Sequence, residues 1–206
     1  MLPVRVPARI QTRPAVLVAN APLLVFPSMV RIVPTMSFRT DMSIEVRVIP
    51  ASERELPVLR HLTSLYIYDF SELMGLDVEE DGAFKLPELT AYWRDLWRHP
   101  FLIRVDGKLV GFALVHARSR LTGADGTHDM AEFFVLRRYR RQGVGEQAAR
   151  DIFARFPGPW EVRERPTNVN AIAFWRRVID RQTGGQFREV NWADDAWQGP
   201  VQLFAT

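Results

Sequence analysis

The chain of 206 residues contains no cysteine. That excludes disulfides, thiolate metal sites and a cysteine nucleophile, and it fits a reducing compartment, so a cytoplasmic location is the expectation. Histidine is sparse: His61, His99, His116 and His128 show no close metal-ligand spacing, and no metal is expected. Long hydrophobic runs are missing too. The stretch "AVLVANAPLLVF" is interrupted by Pro22 and is too short to span a bilayer, and no membrane partner is expected. Most of the chain also lacks an excess of charge of either sign. Five arginines and one acid give residues 1–41 a charge of +4, whereas the remaining 165 residues hold 22 basic and 23 acidic side chains, or −1. The near-neutral body gives no reason to expect a nucleic-acid partner.

What is present divides the chain in two. Residues 1–35 carry six prolines (Pro3, Pro7, Pro14, Pro22, Pro27 and Pro34), which block helix interiors and central strands. Residues 1–42 are therefore expected to be a Pro/Arg-rich extension without regular structure, upstream of an alternative start at Met36 or Met42. A targeting segment is the competing reading, because an apolar run follows three arginines. Residues 43–206 suffice for one domain with a full core.

Alternating Ile44, Val46 and Val48 predict a strand over Ser43–Ile49. Ser52 with Glu55 forms a capping-box pattern for a helix to about Phe70, and a second helix is expected near Pro87–Trp97. Asp106-Gly107 between apolar runs predicts a hairpin. "DMAEFFVL" is apolar at both parities except for Glu132, as a strand covered on both faces would be. A helix over Gly143–Phe156, a strand at "PWEVRE", a helix in "NVNAIAFWRRVID" capped by Thr167 or Asn168, and strands near Gln186–Trp192 and Val201–Phe204 complete a mixed α/β sheet. The helical crossover makes strands four and five a parallel pair.

The segment "VLRRYRRQGVG" crowds arginines in front of two glycines at the mouth of a helix. A helix opening after a buried strand offers unpaired N–H groups and the positive end of a dipole. Gly143 and Gly145 let a phosphate approach the backbone, and Arg140 and Arg141 would add charge-assisted hydrogen bonds. A polyphosphate on a helix N-terminus accounts for both features. A merely solvated basic face is the alternative for the arginines alone. The glycine spacing fits neither a P-loop nor a dinucleotide-binding fingerprint.

"FFVLRRYRRQGVGEQAA" resembles the acyl-CoA-binding motif of the GNAT acetyltransferase superfamily, Arg/Gln-x-x-Gly-x-Gly/Ala opening a helix, with Arg140, Gly143 and Gly145 at the defining positions. "NVNAIAFWRRVI" resembles the family's Asn-x-x-Ala-x-x-Phe-Tyr segment, matched by Asn170, Ala173, Phe174 and Trp175. The resemblance covers roughly residues 43–206 and implies the GNAT-like acyl-CoA N-acyltransferase fold, a central twisted mixed sheet of about seven strands with helices on both faces. It also implies acetyl-CoA as co-substrate and transfer of its acetyl group to a primary amine by direct attack. The pantetheine arm would lie between splayed strands four and five. Val135 and Arg137 would pair with it, Asn170 and Phe174 would flank it, and Arg140 with the amides of Arg141, Gln142, Gly143, Val144, Gly145 and Glu146 would hold the pyrophosphate.

Glu132 is the candidate base, as the one ionisable side chain in an apolar strand beside the thioester. A structural ion pair with a nearby arginine is the alternative. The resemblance offers the N–H of Val135 as oxyanion donor. The family's tyrosine acid is replaced by Trp175, whose indole cannot supply a proton near neutral pH. Water, Tyr66, Tyr68 or Tyr92 are the substitutes, and a catalytically silent acyl-CoA sensor is the competing function. Six acids in "DFSELMGLDVEED" (Asp69, Glu72, Asp77, Glu79, Glu80 and Asp81) suggest a rim for a cationic small-molecule or peptide amine, with a plain solubilising loop as the alternative. A homodimer is left open.

Overall fold

The computed structural model describes residues 44–195 and 197–206, and the extension expected over 1–42 lies outside them. Among the described residues seven strands form one sheet in the order β1-β2-β3-β4-β5-β7-β6. They are β1 Val46–Pro50, β2 Arg98–Val105, β3 Lys108–Arg118, β4 Asp125–Val135, β5 Pro159–Arg163, β6 Phe187–Ala193 and β7 Gln198–Ala205. Every neighbouring pair is antiparallel except β4 with β5. The helices are α1 Leu56–Met74, α2 Ala91–Arg94, α3 Val144–Arg155 and α4 Val169–Thr183. No helix among the described residues is long and apolar enough to cross a membrane.

Local chemistry accounts for the joints. The β2–β3 hairpin turns on Asp106 and Gly107, with φ of 48° and 76°, the left-handed pair that a tight hairpin needs. The Glu55 carboxylate accepts from the Ser52 N–H at 2.9 Å, ahead of α1. Asn168 caps α4, its side-chain oxygen accepting from the Ala171 N–H at 3.1 Å.

Two of the expected elements differ. The second helix is a single turn: the chain leaves it at Asp95, which is extended (φ −96°, ψ 114°), and the Trp97 carbonyl accepts from the Ala117 N–H at 2.7 Å as the chain enters β2. The first helix is longer than expected: it runs to Met74 and ends on Gly75 in the left-handed conformation (φ 62°), so Asp69 and Glu72 are helical rather than part of a loop.

The sheet separates two apolar layers. On one face α3 and α4 bury Ile152, Phe153, Trp175 and Ile179 against Trp160 and Val162. On the other, Leu59 and Leu62 of α1 and Tyr92 of α2 pack on Leu102, Phe112 and Phe134. Strand β4 serves both layers, with Met130 and Val135 in the first and Phe134 in the second. Its register against β3 shifts twice, between Leu114 and Val115 and between His116 and Arg118; at the first shift Leu114 pairs with Glu132 and Val115 with Met130, leaving Ala131 as a bulged residue. Such a bulge bends the strand and increases its twist.

Candidate functional site

β4 and β5 are laddered only at His128↔Trp160 and Asp129↔Glu161 among the described residues. Beyond those pairs β5 continues against β7 through Arg163↔Val201, while β4 runs on to Val135. The two strands therefore part, and a cleft opens between them. The Leu136 N–H donates to the Val110 carbonyl at 2.8 Å. Because hydrogen-bonded and open pairs alternate in an antiparallel ladder, Val135 and Phe133, opposite Gly111 and Ala113, turn their N–H and C=O groups away from β3 and towards the cleft. The Val135 carbonyl is already taken, accepting from Arg140 Nε at 2.6 Å.

At one end of the cleft the chain enters α3 through a left-handed step at Arg141 (φ 61°) and another at Gly143 (φ 82°). The first helical bond is Gln147 N–H to the Gly143 carbonyl at 3.0 Å. The six successive N–H groups from Arg141 to Glu146 find no acceptor among the described residues. Left-handed steps of this kind turn consecutive N–H groups towards a common point, which suits an anion. A Cβ on Gly145 would lie 3.2 Å from the Phe174 ring, and that ring stacks on Phe133 at 6.0 Å. Any larger residue there would push the Phe174 ring back by a few tenths of an ångström. The Glu146 carboxylate, which would oppose an anion, is paired with Arg181 at 2.7 Å. An open groove of about 580 Å³ leads from Gly143 along α3, past Arg150, to Gln182.

The arginines divide. Arg137 and Arg140 both bind the Asp69 carboxylate, Arg137 at 2.8 Å. That acid sits on α1 with 13% of its side chain exposed, so it anchors the arm between β4 and α3 and is not part of an open acidic rim. Arg138 and Arg141 form no ion pair with any described residue, and both are exposed. Gln142 is exposed as well, and its side chain donates to the Arg138 carbonyl at 2.7 Å.

On the far side of the cleft lies Glu132. Tyr66 of α1 donates its hydroxyl to Glu132 Oε2 at 2.6 Å, and Arg120 stands 3.9 Å from Oε1. A third of the carboxylate side chain remains accessible (33%). Burial raises its pKa above the ordinary carboxylate value, while the Tyr66 hydrogen bond and Arg120 oppose the rise. Burial also pushes the Tyr66 hydroxyl well up, and the Glu132 charge adds to this, so it remains a proton donor. Deeper in the same face, burial lifts Asp129 to about 6 against the lowering pull of Arg163 and Arg120. His116 is pushed down to about 3, chiefly by burial, and its Nε2 meets the Tyr92 hydroxyl at 2.8 Å. The imidazole is therefore neutral at physiological pH.

The remaining sequence-predicted residues separate cleanly. Phe174 lines the cleft beside Phe133. Trp175 is 6% exposed and packs into the core on Phe133 and Phe153. Tyr68 is 61% exposed and faces Phe84. Asn170 is exposed in the first turn of α4. The spacing Asn-x-x-Ala-x-x-Phe, counted strictly, is met by Asn168, Ala171 and Phe174, so Asn168 is the residue that sequence reasoning missed. Its oxygen caps the helix, and its amide nitrogen is left to donate. Asp77, Glu79, Glu80 and Asp81 are exposed.

A second buried acid lies outside the cleft. Glu164, just after β5, is 4% exposed, and neither carboxylate oxygen finds a hydrogen-bond donor among the described residues. Burial raises it to about 8. A folded-state pKa above the unfolded value means stability that is complete below about 4.5 and falls as pH rises, until the loss is full above about 8. Glu164→Gln should therefore raise the melting temperature at pH 9 and change it little at pH 5. The expected gain at high pH is on the order of a few kcal/mol, read from denaturant unfolding at the two pH values.

A model of the acetyltransferase (GNAT) family matches residues 64–179. Solved structures share the fold at low identity. An acetyltransferase from Thermus thermophilus aligns with a TM-score of 0.57 and 17% identity, over 78% of this chain and 97% of its own. An aminoglycoside acetyltransferase in complex with coenzyme A aligns at 0.52 and 16%, over 78% and 95%. A spermidine N-acetyltransferase from Vibrio cholerae, in complex with CoA and spermine, aligns at 0.51 and 10%, over 77% and 93%. No curated protein matches the chain.

Proposed function

This chain belongs to the GNAT acetyltransferase family, and from that premise we propose that its domain over residues 43–206 transfers the acetyl group of acetyl-CoA to a primary amine, by direct attack within a ternary complex. The observation that carries the proposal is the run of acceptorless N–H groups from Arg141 to Glu146 at the end of the cleft between β4 and β5. The pyrophosphate rests on those N–H groups, with the exposed guanidinium of Arg141 beside it, and the nucleotide end follows the groove along α3. Arg140 acts differently from the sequence expectation: held by Asp69 and the Val135 carbonyl, it shapes the arm. The pantetheine arm lies in the cleft against Phe174, offered an N–H group by Val135 and reached by the amide nitrogen of Asn168.

The amine nitrogen attacks the thioester carbon, a C–N bond forms and the C–S bond breaks. Glu132 takes the proton that the amine gives up. The N–H of Phe133, next to Glu132 and further from the pyrophosphate end than that of Val135, stabilises the oxyanion. Solvent protonates the departing thiolate, because Trp175 lies in the core, Tyr68 faces away and the Tyr92 hydroxyl is held by His116. Tyr66 positions Glu132 and keeps its pKa from rising further. Tyr66→Phe should therefore move the acidic limb of the kcat/KM profile to higher pH and cost about 3–10-fold at pH 6, with little effect at pH 9, the size expected for one hydrogen bond to a charged group.

The test is thiol release from acetyl-CoA over a panel of amines, alongside calorimetric binding of coenzyme A. Amine-dependent release supports the reading. Coenzyme A binding with no release for any amine would instead favour a silent acyl-CoA-binding module.

A further inference from the structure

Glu132 borders a cluster of guanidinium groups. Arg120, in the turn after β3, has its backbone N–H held by Glu161 at 2.8 Å and brings its side chain to 3.9 Å from Glu132 and 3.8 Å from Asp129. Arg163, at the end of β5, bonds Asp129 at 3.3 Å and lies 4.9 Å over the Trp197 ring with 7% of its side chain exposed. Arg165 lies over the same ring at 5.2 Å. It is exposed, forms no ion pair with any described residue, and its charge is felt at both Tyr66 and Glu132. The ring belongs to the loop between β6 and β7.

The buried acids of this face are already satisfied. Asp129 is 0% exposed among Arg163, Arg120 and His116. Glu161 is 2% exposed and accepts from the Ser119 hydroxyl and the Arg120 N–H. On the β6–β7 loop, Asp194 accepts from the Trp192 indole at 2.6 Å and the Trp197 N–H at 2.8 Å, which fixes the loop that carries the ring. Asp195 is exposed beside Arg165 in an open concavity of about 310 Å³. An incoming acceptor thus meets Glu132 beside the accessible guanidinium of Arg120 (40% exposed), with Arg165 exposed on the Trp197 ring that it shares with Arg163.

A guanidinium lying on an indole ring is pre-positioned and keeps its N–H edge for a planar oxyanion. An amine that carries an anionic group gains at Arg165 a partner that a purely cationic amine lacks. We propose that the acceptor is an amine carrying its own anionic group, a carboxylate or a phosphate, gripped by Arg165 on its Trp197 platform while the nitrogen reaches Glu132. This rests on the acetyltransferase reading and narrows the cationic amine of the sequence reading to an amphoteric one.

The test compares thiol release at saturating acetyl-CoA for amino acids, for amino phosphates such as O-phosphoethanolamine and glucosamine 6-phosphate, and for spermidine and an aminoglycoside. The anionic amines should exceed the purely cationic ones at least ~10-fold in kcat/KM, with whichever anionic series leads identifying the group. Arg165→Met should raise KM for the anionic amines ~10–100-fold, the cost of losing a charge-assisted pair, with kcat within about 3-fold and the KM for acetyl-CoA unchanged. Arg165→Lys should restore part of the loss, and Arg165→Glu should turn the preference towards spermidine. A wild-type preference for spermidine or the aminoglycoside, or an Arg165→Met KM equal to wild type, overturns the inference while leaving the acetyltransferase reading intact. If coenzyme A binds but no amine gives thiol, that reading fails instead, and calorimetry on the coenzyme A-loaded protein judges the inference. Anionic amines that bind wild type and lose affinity in Arg165→Met support it, and no binding of them overturns it.

Discussion

Gly143→Glu is expected to raise the dissociation constant for acetyl-CoA at least ~100-fold in a protein that still folds. A Cβ at this position meets nothing within 4 Å, so the new side chain has room. The cost to the free protein is the left-handed conformation, φ 82°, about 1–2 kcal/mol for a residue with a Cβ. The cost to binding is larger, because a carboxylate then stands among the N–H groups that should receive the pyrophosphate, where it both occupies the anion site and repels its guest. Gly143→Asn separates the two effects. Asparagine tolerates the left-handed region and carries no charge, so its loss of affinity should be well under that of the glutamate variant. Calorimetric titration of both proteins, with circular dichroism to confirm the fold, makes the comparison.

Glu132→Gln is expected to lower kcat by ~10²–10⁴-fold at neutral pH, the range for removing a general base, and to leave affinity for acetyl-CoA unchanged. The glutamine keeps the size of the side chain and an oxygen for the Tyr66 hydroxyl. What it loses is a place for the amine's proton. In the wild type the rate should rise with pH as Glu132 ionises, and burial, by lifting its pKa, moves that limb upward from the usual carboxylate range. In the variant this limb should vanish. The deficit should shrink at high pH, where more of the amine is already neutral and less help is needed. Wild-type turnover in Glu132→Gln across the pH range would remove Glu132 from the base role.

The parts of the site that depend on local chemistry were legible in the sequence. Arg141, Gly143 and Gly145 sit where a strand gives way to a helix, and that junction is encoded by apolar periodicity and by glycine. The β2–β3 hairpin followed from Asp106-Gly107 for the same reason, and the parallel β4/β5 pair followed from the helix between them. Long-range pairings were not legible. Nothing near Asp69 in the sequence points to Arg137 and Arg140, so an acid that anchors the arm read as part of a rim. The bulge at Ala131 is a property of two strands in register, invisible in either alone. The polar face near Glu132 draws Tyr66, Arg120, Asp129, Arg163 and Trp197 from segments far apart, and only folding shows that this acid meets a tyrosine and an arginine. The short α2 is a case of tertiary pairing overruling local helical pattern, since the chain turns extended at Asp95 and the Trp97 carbonyl accepts from Ala117 of β3. Asn168 is a different kind of miss: the signal was there, in the spacing to Ala171 and Phe174.

The most direct measurement is an amide proton–nitrogen NMR titration of the protein with coenzyme A. The resonances of Arg141 to Glu146, with those of Phe133 and Val135, should shift together and saturate on a single binding curve. Saturable binding that leaves the six amides of Arg141 to Glu146 unmoved, or no binding at all, would contradict the account.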